Sequence, residues 1–433
     1  MQKKIVFLMS MMMCLCTSMM AQVTTSAMSG KVTLEGTGEE LIGATVQAVH
    51  EPSGTTYSAV TNVNGRFNIQ GMRTGGPYAV TVSYVGHQTK TYKDITLQLG
   101  EVYNLGVTLS EDAAMLGEVV VSATASKFAQ EKTGASTNIN NSQMMNLPTV
   151  SRSITDITRL SPYGGNGMSF VGTDGRTANF TVDGANFNNN FGLSSALPGG
   201  GNPISIEAIE ELQVVIAPYD VRQTNFIGGG VNAITKSGTN AFKGSAYVYH
   251  RNENMRGDAV EGFQIPGARE KDRKTTYGFT LGGPIIKNKL FFFVNGETEK
   301  VPTVANRWRA SEDGVANAQE YISRTTIKDL QTVSDFVNKK YGYNTGSYTS
   351  FPADISNTKL LARLDWNITD QHRLALRYNY TKNMTWRSPN ASSMDGGTRM
   401  SEGRLSQASM AYANTMYSMD NLVHSFSFDL NSR

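Results

Sequence analysis

The stretch GGGVNAITKSGTN, Gly228 to Asn240, decides how the rest of the chain is read. From Gly230 it runs G-x-x-x-x-T-K-S, one residue away from the G-x-x-x-x-G-K-[ST] loop that cradles nucleotide phosphates. That loop needs a glycine just before its lysine, so that the backbone can wrap the phosphates, and a helix must begin at the Lys-Ser pair. Here Thr235 holds the glycine position, and Gly238-Thr239-Asn240 follows Ser237 at once and breaks any helix. Val231 to Lys236 reads instead as a strand ending in a turn. No nucleotide site is expected.

Composition narrows the class. The 433 residues correspond to about three domains of roughly 150 residues each. Charged residues make up 17% of the chain, against roughly 25% in a typical soluble protein. Glycine is abundant at 42 residues, and the mean hydropathy of −0.30 excludes a bundle of transmembrane helices. At the start, Lys3 and Lys4 precede the short apolar run Ile5 to Leu15, with Thr17, Ser18 and Ala21 beyond it. This is the layout of a secretory leader, residues 1–21, cleaved near Ala21–Gln22. Lipidation at Cys14 or Cys16 is not expected, because Met13 and Leu15 precede them where a small residue is needed. Both cysteines leave with the leader, so disulfides, cysteine-held metals and thiol nucleophiles are excluded from the mature chain. Loss of Lys3 and Lys4 takes the formal net charge from +3 to +1, too little for a nucleic-acid footprint.

Three zones follow. From about Met28 to Leu109, short alternating runs (KVTLEG, ATVQAVHEP, TYSAVTNVNG, RFNIQGM, YAVTVSYVG, YNLGVTLS) are punctuated by turn residues, which predicts an antiparallel sandwich. NVNG, Asn62 to Gly65, reads as a tight turn, since a calcium loop needs more carboxylates. His50 and His87 stand alone as surface or strand histidines. The junction EDAAMLGEVVVSATASK holds one apolar run, Val119 to Val121, readable as an edge strand or as a segment that adds to a partner's sheet. Between Ser136 and Thr239, LPTVSRSITDITRLSP predicts a helix starting near Ser151 or Ser153. A strand carries Phe180 and Val182 between D-G turns. A short helix or turn holds Glu207, Glu210 and Glu211, and the strand Leu212 to Ala217 follows. From Ala241 onward the alternation is long. Leu360, Ala362, Leu364, Trp366 and Ile368 oppose Lys359, Leu361, Arg363, Asp365 and Asn367, and Leu374, Leu376, Tyr378 and Tyr380 repeat the pattern. Short turns (Lys287 to Lys289, Thr369 to His372) and long connections (Glu299 to about Ser356) suit an outer-membrane barrel.

The first zone, SGKVTLEGTGEELIGATVQAV through YAVTVSYVGHQT, resembles the carboxypeptidase-regulatory-like domain, a small β-sandwich. FTVDGANFNNNFG, IEAIEELQVVIAPYDVRQTNFIGGGVNAITKSGTNAFKGSAYVY and LGGPIIKNKLFFF resemble the plug and first barrel strands of TonB-dependent outer-membrane receptors, closest to the Oar-like group. The resemblance implies a mainly β chain. It comprises a leader (1–21), a regulatory-like β-sandwich (28–110), a linker with a possible TonB box (111–127), an α+β plug (128–239), and the first strands of an incomplete transmembrane antiparallel barrel (240–433). It places Glu118, Val119, Val120, Val121, Ser122 and Ala123 at the TonB-contacting position. It further implies outer-membrane location with the first domain in the periplasm, TonB and outer-membrane lipid as partners, and uptake of a siderophore, glycan or peptide. About six strands precede Arg433, whereas plugged outer-membrane transporters have about 22, so a fragment or truncated product is expected.

Enzymatic readings find no support. G-x-S-x-G and H-E-x-x-H are absent, and Ser356-Asn357-Thr358-Lys359 fits S-x-x-K on a strand, where the two side chains cannot meet. The five histidines form no spaced metal pair, so no catalytic residue, metal or cofactor is assigned. The competing reading is a surface or periplasmic module that binds carbohydrate or protein without transport. Intact mass of the exported protein is expected to begin at Gln22, and retention of Met1 would refute the leader.

Overall fold

The computed structural model describes residues 23–111, 119–122, 135–188 (apart from 148 and 150), 197, 202–264 (apart from 219 and 256), 273–302, 307–387 and 405–432. The expected leader and the two ends of the coupling segment, Glu118 and Ala123, lie outside them. Alternation in the first zone produces β1 (Ser26–Leu34), β2 (Thr45–His50), β3 (Thr55–Val60), β4 (Arg66–Met72), β5 (Gly75–Ser83), β6 (Lys90–Leu97) and β7 (Val102–Leu109). β1 lies between β4 and β7 in one sheet, and the other runs β3-β2-β5-β6. One core joins them: Met28, Val32, Ile69 and Val107 face Val46, Ala48, Tyr78, Val80 and Ile95. The NVNG turn closes on Asn62, whose Oδ1 accepts the N–H groups of Asn64 and Arg66 at 3.0 Å each. Of the surface and strand readings, His50 takes the strand one, ending β2, and it is buried: Ser53 Oγ lies 2.6 Å from its Nδ1 and the Tyr78 ring packs beside it. Burial, reinforced by Arg73, lowers its pKa to about 3 and keeps the ring neutral.

The junction supplies β8 (Val119–Ser122). The next unit is a five-stranded sheet of β9 (Ala135–Asn140), β10 (Asn179–Val182), β11 (Ala185–Asn186), β12 (Ile209–Ala217) and β13 (Gly230–Thr235), in the order β11-β10-β13-β12-β9. Of the two candidate helix starts, Ser153 is the cap of the Ile154–Thr158 helix. The expected helix or turn at Glu207 to Glu211 needs correction. Only Ile206–Ala208 forms a helical turn, and Glu210 and Glu211 already belong to β12. The reason is pairing on both sides, since Glu211 stands opposite Ile234 of β13 and Asn140 of β9.

The glycines of the opening stretch serve packing. A Cβ at Gly229 would lie 2.8 Å from the Phe170 ring, and one at Gly230 would lie 2.8 Å from the Phe226 ring. Beyond Thr235 the Lys236 N–H donates to the Ala208 carbonyl at 2.8 Å, so the backbone is tied to β12's approach and does not wrap an anion.

The third zone is one antiparallel sheet. Its strands are β14 (Lys243–Arg251), β17 (Lys274–Ile286), β18 (Leu290–Val301), β21 (Ile355–Asn367), β22 (His372–Arg387) and β23 (Tyr417–Ser432), paired in that order. Two-residue pairs, β15 (Ala259–Val260) and β16 (Phe263–Gln264), lie in the β14–β17 connection. β19 (Arg309–Ser311), β20 (Ile322–Thr326) and the Ile327–Tyr341 helix lie in the β18–β21 connection. Apolar side chains point outward, among them Phe279, Leu364, Trp366, Phe426 and Leu430. Asn295, Lys359, Arg363, Arg377 and Asn379 are buried on the inner face against the preceding unit. This is the alternation of a membrane barrel strand. The short connections share one end of the sheet, and the sandwich sits there: Asn367 Nδ2 donates to Thr55 Oγ1 at 3.0 Å, and Arg373 to the Thr56 carbonyl at 2.7 Å.

Because the sandwich has its own core, residues 24–110 expressed alone are expected to give a β-sheet circular dichroism spectrum. Ile69→Ala should lower their unfolding free energy by about 3 kcal/mol in urea titration. A helical or unfolded spectrum would show that the sandwich depends on the rest of the chain.

Candidate functional site

Val119–Ser122, the described part of the expected coupling segment, adds to the sandwich as β8. It runs parallel to β6 in the register Lys90↔Val119, Thr91↔Val120, Tyr92↔Val121, Lys93↔Ser122. A run of β-branched valines suits extended backbone, and the edge of β6 offers the unpaired donors and acceptors that attract a strand. The segment read from sequence as a linker is thus, over these residues, the fifth strand of the β3-β2-β5-β6-β8 sheet.

The sandwich is joined to the plug-like sheet through Leu99, in the turn after β6. The Leu99 N–H donates to both carboxylate oxygens of Glu211 at 3.0 Å. Its carbonyl accepts from Gln213 Nε2 at 2.6 Å and Asn138 Nδ2 at 3.0 Å. Asn138 donates also to Glu211 Oε1 at 3.0 Å, which ties β9 to β12 at the same point. The Leu99 side chain is buried with Val23 and Ile234. A single residue of the sandwich therefore satisfies polar groups on two plug strands, and a buried polar group without a partner costs about 1–3 kcal/mol.

The plug-like sheet meets the barrel strands through buried charge. Asp183, whose side chain is 0% exposed, accepts from the Thr235 N–H at 3.0 Å and its hydroxyl at 2.6 Å. Arg363 Nη1 donates to the Thr235 carbonyl at 2.7 Å and lies 3.6 Å from Asp183; Arg377 Nε lies 3.6 Å from the same carboxylate. Asp365 pairs with Arg363 through two bonds of 2.8 Å, and Arg73 of the sandwich reaches Asp365 at 3.3 Å. A second cluster centres on Glu297, which accepts from Lys359 at 2.7 Å, Ser205 at 2.6 Å and Tyr247 at 2.9 Å. Near the other end, Arg152 pairs with Glu207 at 2.9 Å, lies over the Tyr249 ring, and Tyr249 donates to Glu207 at 2.8 Å. Lys359 of the S-x-x-K match is therefore an inward ion-pair partner on β21.

Sequence reading gave Val119 to Val121 as extended backbone but none of these junctions. Arg363, Arg377 and Lys359 carried one signal, their position in the polar phase of alternating strands. Leu99 and Glu211 carried none, because their contact joins residues 112 apart in the chain.

Glu211 makes the Leu99 joint responsive to pH. Burial raises its pKa to about 7, helped by Glu101 and Glu210 and opposed by the Leu99 N–H and Asn138 amide. At pH values below the ordinary glutamate pKa of about 4.3 the group is protonated whether the joint is closed or open. As pH rises from there through about 7, the open state releases its proton first and is favoured, by on the order of 3 kcal/mol at most. Protection of the Leu99 amide in hydrogen exchange, corrected for intrinsic rate, is expected to fall as pH is raised across that window. Glu211→Gln should flatten the dependence. An unchanged slope in Glu211→Gln would remove Glu211 as its source.

The carboxypeptidase regulatory-like domain family matches residues 27–110, and the outer membrane beta barrel domain family matches residues 234–311. The chain is 25% identical over 353 residues to the TonB-dependent transporter Oar of Myxococcus xanthus, covering 76% of this chain and 31% of that protein. It therefore spans about a third of the length of this curated relative. Solved structures similar to it include the outer membrane transporter YddB of Escherichia coli, at 12% identity and a TM-score of 0.45, covering 69% of this chain and 37% of that one. The siderophore receptor PirA of Acinetobacter baumannii matches at 18% identity and a TM-score of 0.40, covering 68% and 37% of the two chains. With a carboxypeptidase regulatory-like domain ahead of an outer-membrane β-barrel domain, the chain is an outer-membrane protein similar to the Oar-like TonB-dependent receptors over the part of them that it spans.

Proposed function

We propose that the protein is an energy-coupled outer-membrane transporter. In this reading residues 128–239 form a plug inside a barrel begun by residues 240–433, and residues 28–110 form a regulatory-like domain on the periplasmic side. The short strand connections support that side, since outer-membrane barrels keep their short turns in the periplasm. The outward Phe279, Leu364, Trp366 and Phe426 contact lipid, and the long connections opposite face a siderophore, glycan or peptide ligand outside. The relative is named a transporter, and no step is performed on the ligand: the chain's task is to bind it and to release the plug on demand.

The observation that carries the reading is the position of β8. It is extended backbone that leads, within the same sequence, to β9, the edge strand of the plug sheet. A partner strand from TonB gripping Glu118 to Ala123 would load the chain on the side that leads to β9. Strand addition draws its affinity from main-chain hydrogen bonds, so a proline should be far more damaging than a smaller side chain. Val120→Pro is expected to weaken binding of the purified receptor to the periplasmic domain of TonB by more than ~10-fold, because proline removes a ladder donor and constrains its predecessor. Val120→Ala keeps the donor and should stay within about threefold of the parent. Equal affinity of Val120→Pro and the parent, measured by calorimetry in detergent, would remove this segment from the coupling role.

A further inference from the structure

We propose that the cavity where the sandwich, the plug-like sheet and the barrel strands converge binds a small oxyanion, held by Arg377 and Arg73. The cavity measures about 520 Å³. Four arginines line it: Arg363 of β21, Arg373 and Arg377 of β22, and Arg73 from the turn between β4 and β5. The carboxylates beside them in the lining are Asp365 and Asp429, and the buried Asp183 lies 3.6 Å from both Arg363 and Arg377. In the lining as a whole, cationic side chains outnumber carboxylates. No described residue of β8 belongs to it, so the site stands apart from the coupling reading.

The nearby carboxylates are already engaged. Asp365 takes two bonds of 2.8 Å from Arg363 and meets Arg73 at 3.3 Å. Asp183 takes the Thr235 N–H on one oxygen and the Thr235 hydroxyl on the other. Asp429 accepts from the Thr24 hydroxyl at 3.0 Å and from the Asn431 amide at 3.2 Å. Arg377 is what remains. Its side chain is 4% exposed and lies 3.6 Å from Asp183 and 3.9 Å from Asp429, beyond hydrogen-bond length. Its Nε and Nη1 find no acceptor among the described residues. A guanidinium carries five N–H donors in a planar fork that matches the oxygens of phosphate or carboxylate, and buried donors left unmet are costly. An oxyanion in the cavity supplies the oxygens that Arg377 lacks. Arg73 is fixed in advance: its N–H donates to the Tyr57 hydroxyl at 3.1 Å and its carbonyl accepts from the Tyr78 hydroxyl at 2.7 Å. Groups positioned beforehand lose less freedom on binding. Arg73 belongs to the sandwich and Arg377 to the barrel strands, so the site is complete only when the two are docked.

Calorimetry on the full chain in detergent tests this, with inorganic phosphate and malonate titrated separately at an ionic strength held constant by sodium chloride. At least one of the two is expected to bind at one site per chain with a Kd below about 1 mM, and their relative affinities identify which oxyanion the fork prefers. Arg377→Gln should weaken binding by more than ~10-fold, as loss of charge-assisted bonds does. Arg73→Gln should do the same, and it leaves Asp365 paired with Arg363, so it decides the matter if Arg377→Gln loses the parent's β-sheet circular dichroism spectrum. Arg222→Gln removes an exposed cation outside the cavity and should stay within about threefold of the parent. No binding of either anion to the parent at about ten times that concentration would overturn the proposal. Unchanged affinity in either folded cavity variant would overturn it too, since the ion would then sit elsewhere.

Discussion

Asp183 stands where the plug-like sheet meets the barrel strands. Its carboxylate is wholly buried, takes two bonds from Thr235 at the end of β13, and faces Arg363 and Arg377 from adjacent barrel strands. An ionised carboxylate in a dry interior is tolerable only with partners, so the plug sheet, the Thr235 turn and two barrel strands are required to occur together. The turn that looked like a phosphate loop is in this sense a charge-bearing corner: its Thr235 supplies donors to Asp183 and an acceptor to Arg363. Replacing such a cluster by apolar groups could preserve stability.

Much of the architecture was legible in the sequence because it is written in short-range periodicity. Leu360, Leu364 and Trp366 against Lys359 and Arg363 is a period of two that any strand must display, and the structure places the first set outward and the second inward. The same holds for the sandwich strands, and for Val119 to Val121 as extended backbone. What escaped was everything decided by distant partners. Glu210 and Glu211 were read with Glu207 as a helix or turn. The ladder bonds to β9 and β13 draw two of them into a strand and bury Glu211. His50 carried no local mark of burial, yet Tyr78 from a neighbouring strand covers it.

The two interfaces of the plug sheet differ in chemistry. Toward the barrel it is held by full charges in several clusters. Toward the sandwich it is held by neutral amides around one backbone peptide, with a single carboxyl whose protonation is set by its surroundings. Salt screens exposed charge pairs strongly and buried ones much less, so neither interface is governed by ionic strength alone. Protonation is a finer control at the sandwich side, where, among the described residues, buried Glu211 shares its site with backbone and amide groups rather than with arginine or lysine.

The register of β9 is uneven along its length. Its pairing with β12 is regular from Ser136 to Asn140 but shifts between the Val215 and Ala217 partners, at the Ala135 end. That irregular end is the one nearer in sequence to β8. The ladder is therefore least regular at the Ala135 end and regular beyond it. Further along the strand Asn138 adds side-chain bonds to both Leu99 and Glu211. The side-chain ties of β9 to the sandwich thus sit three residues in from its irregular end, at Asn138.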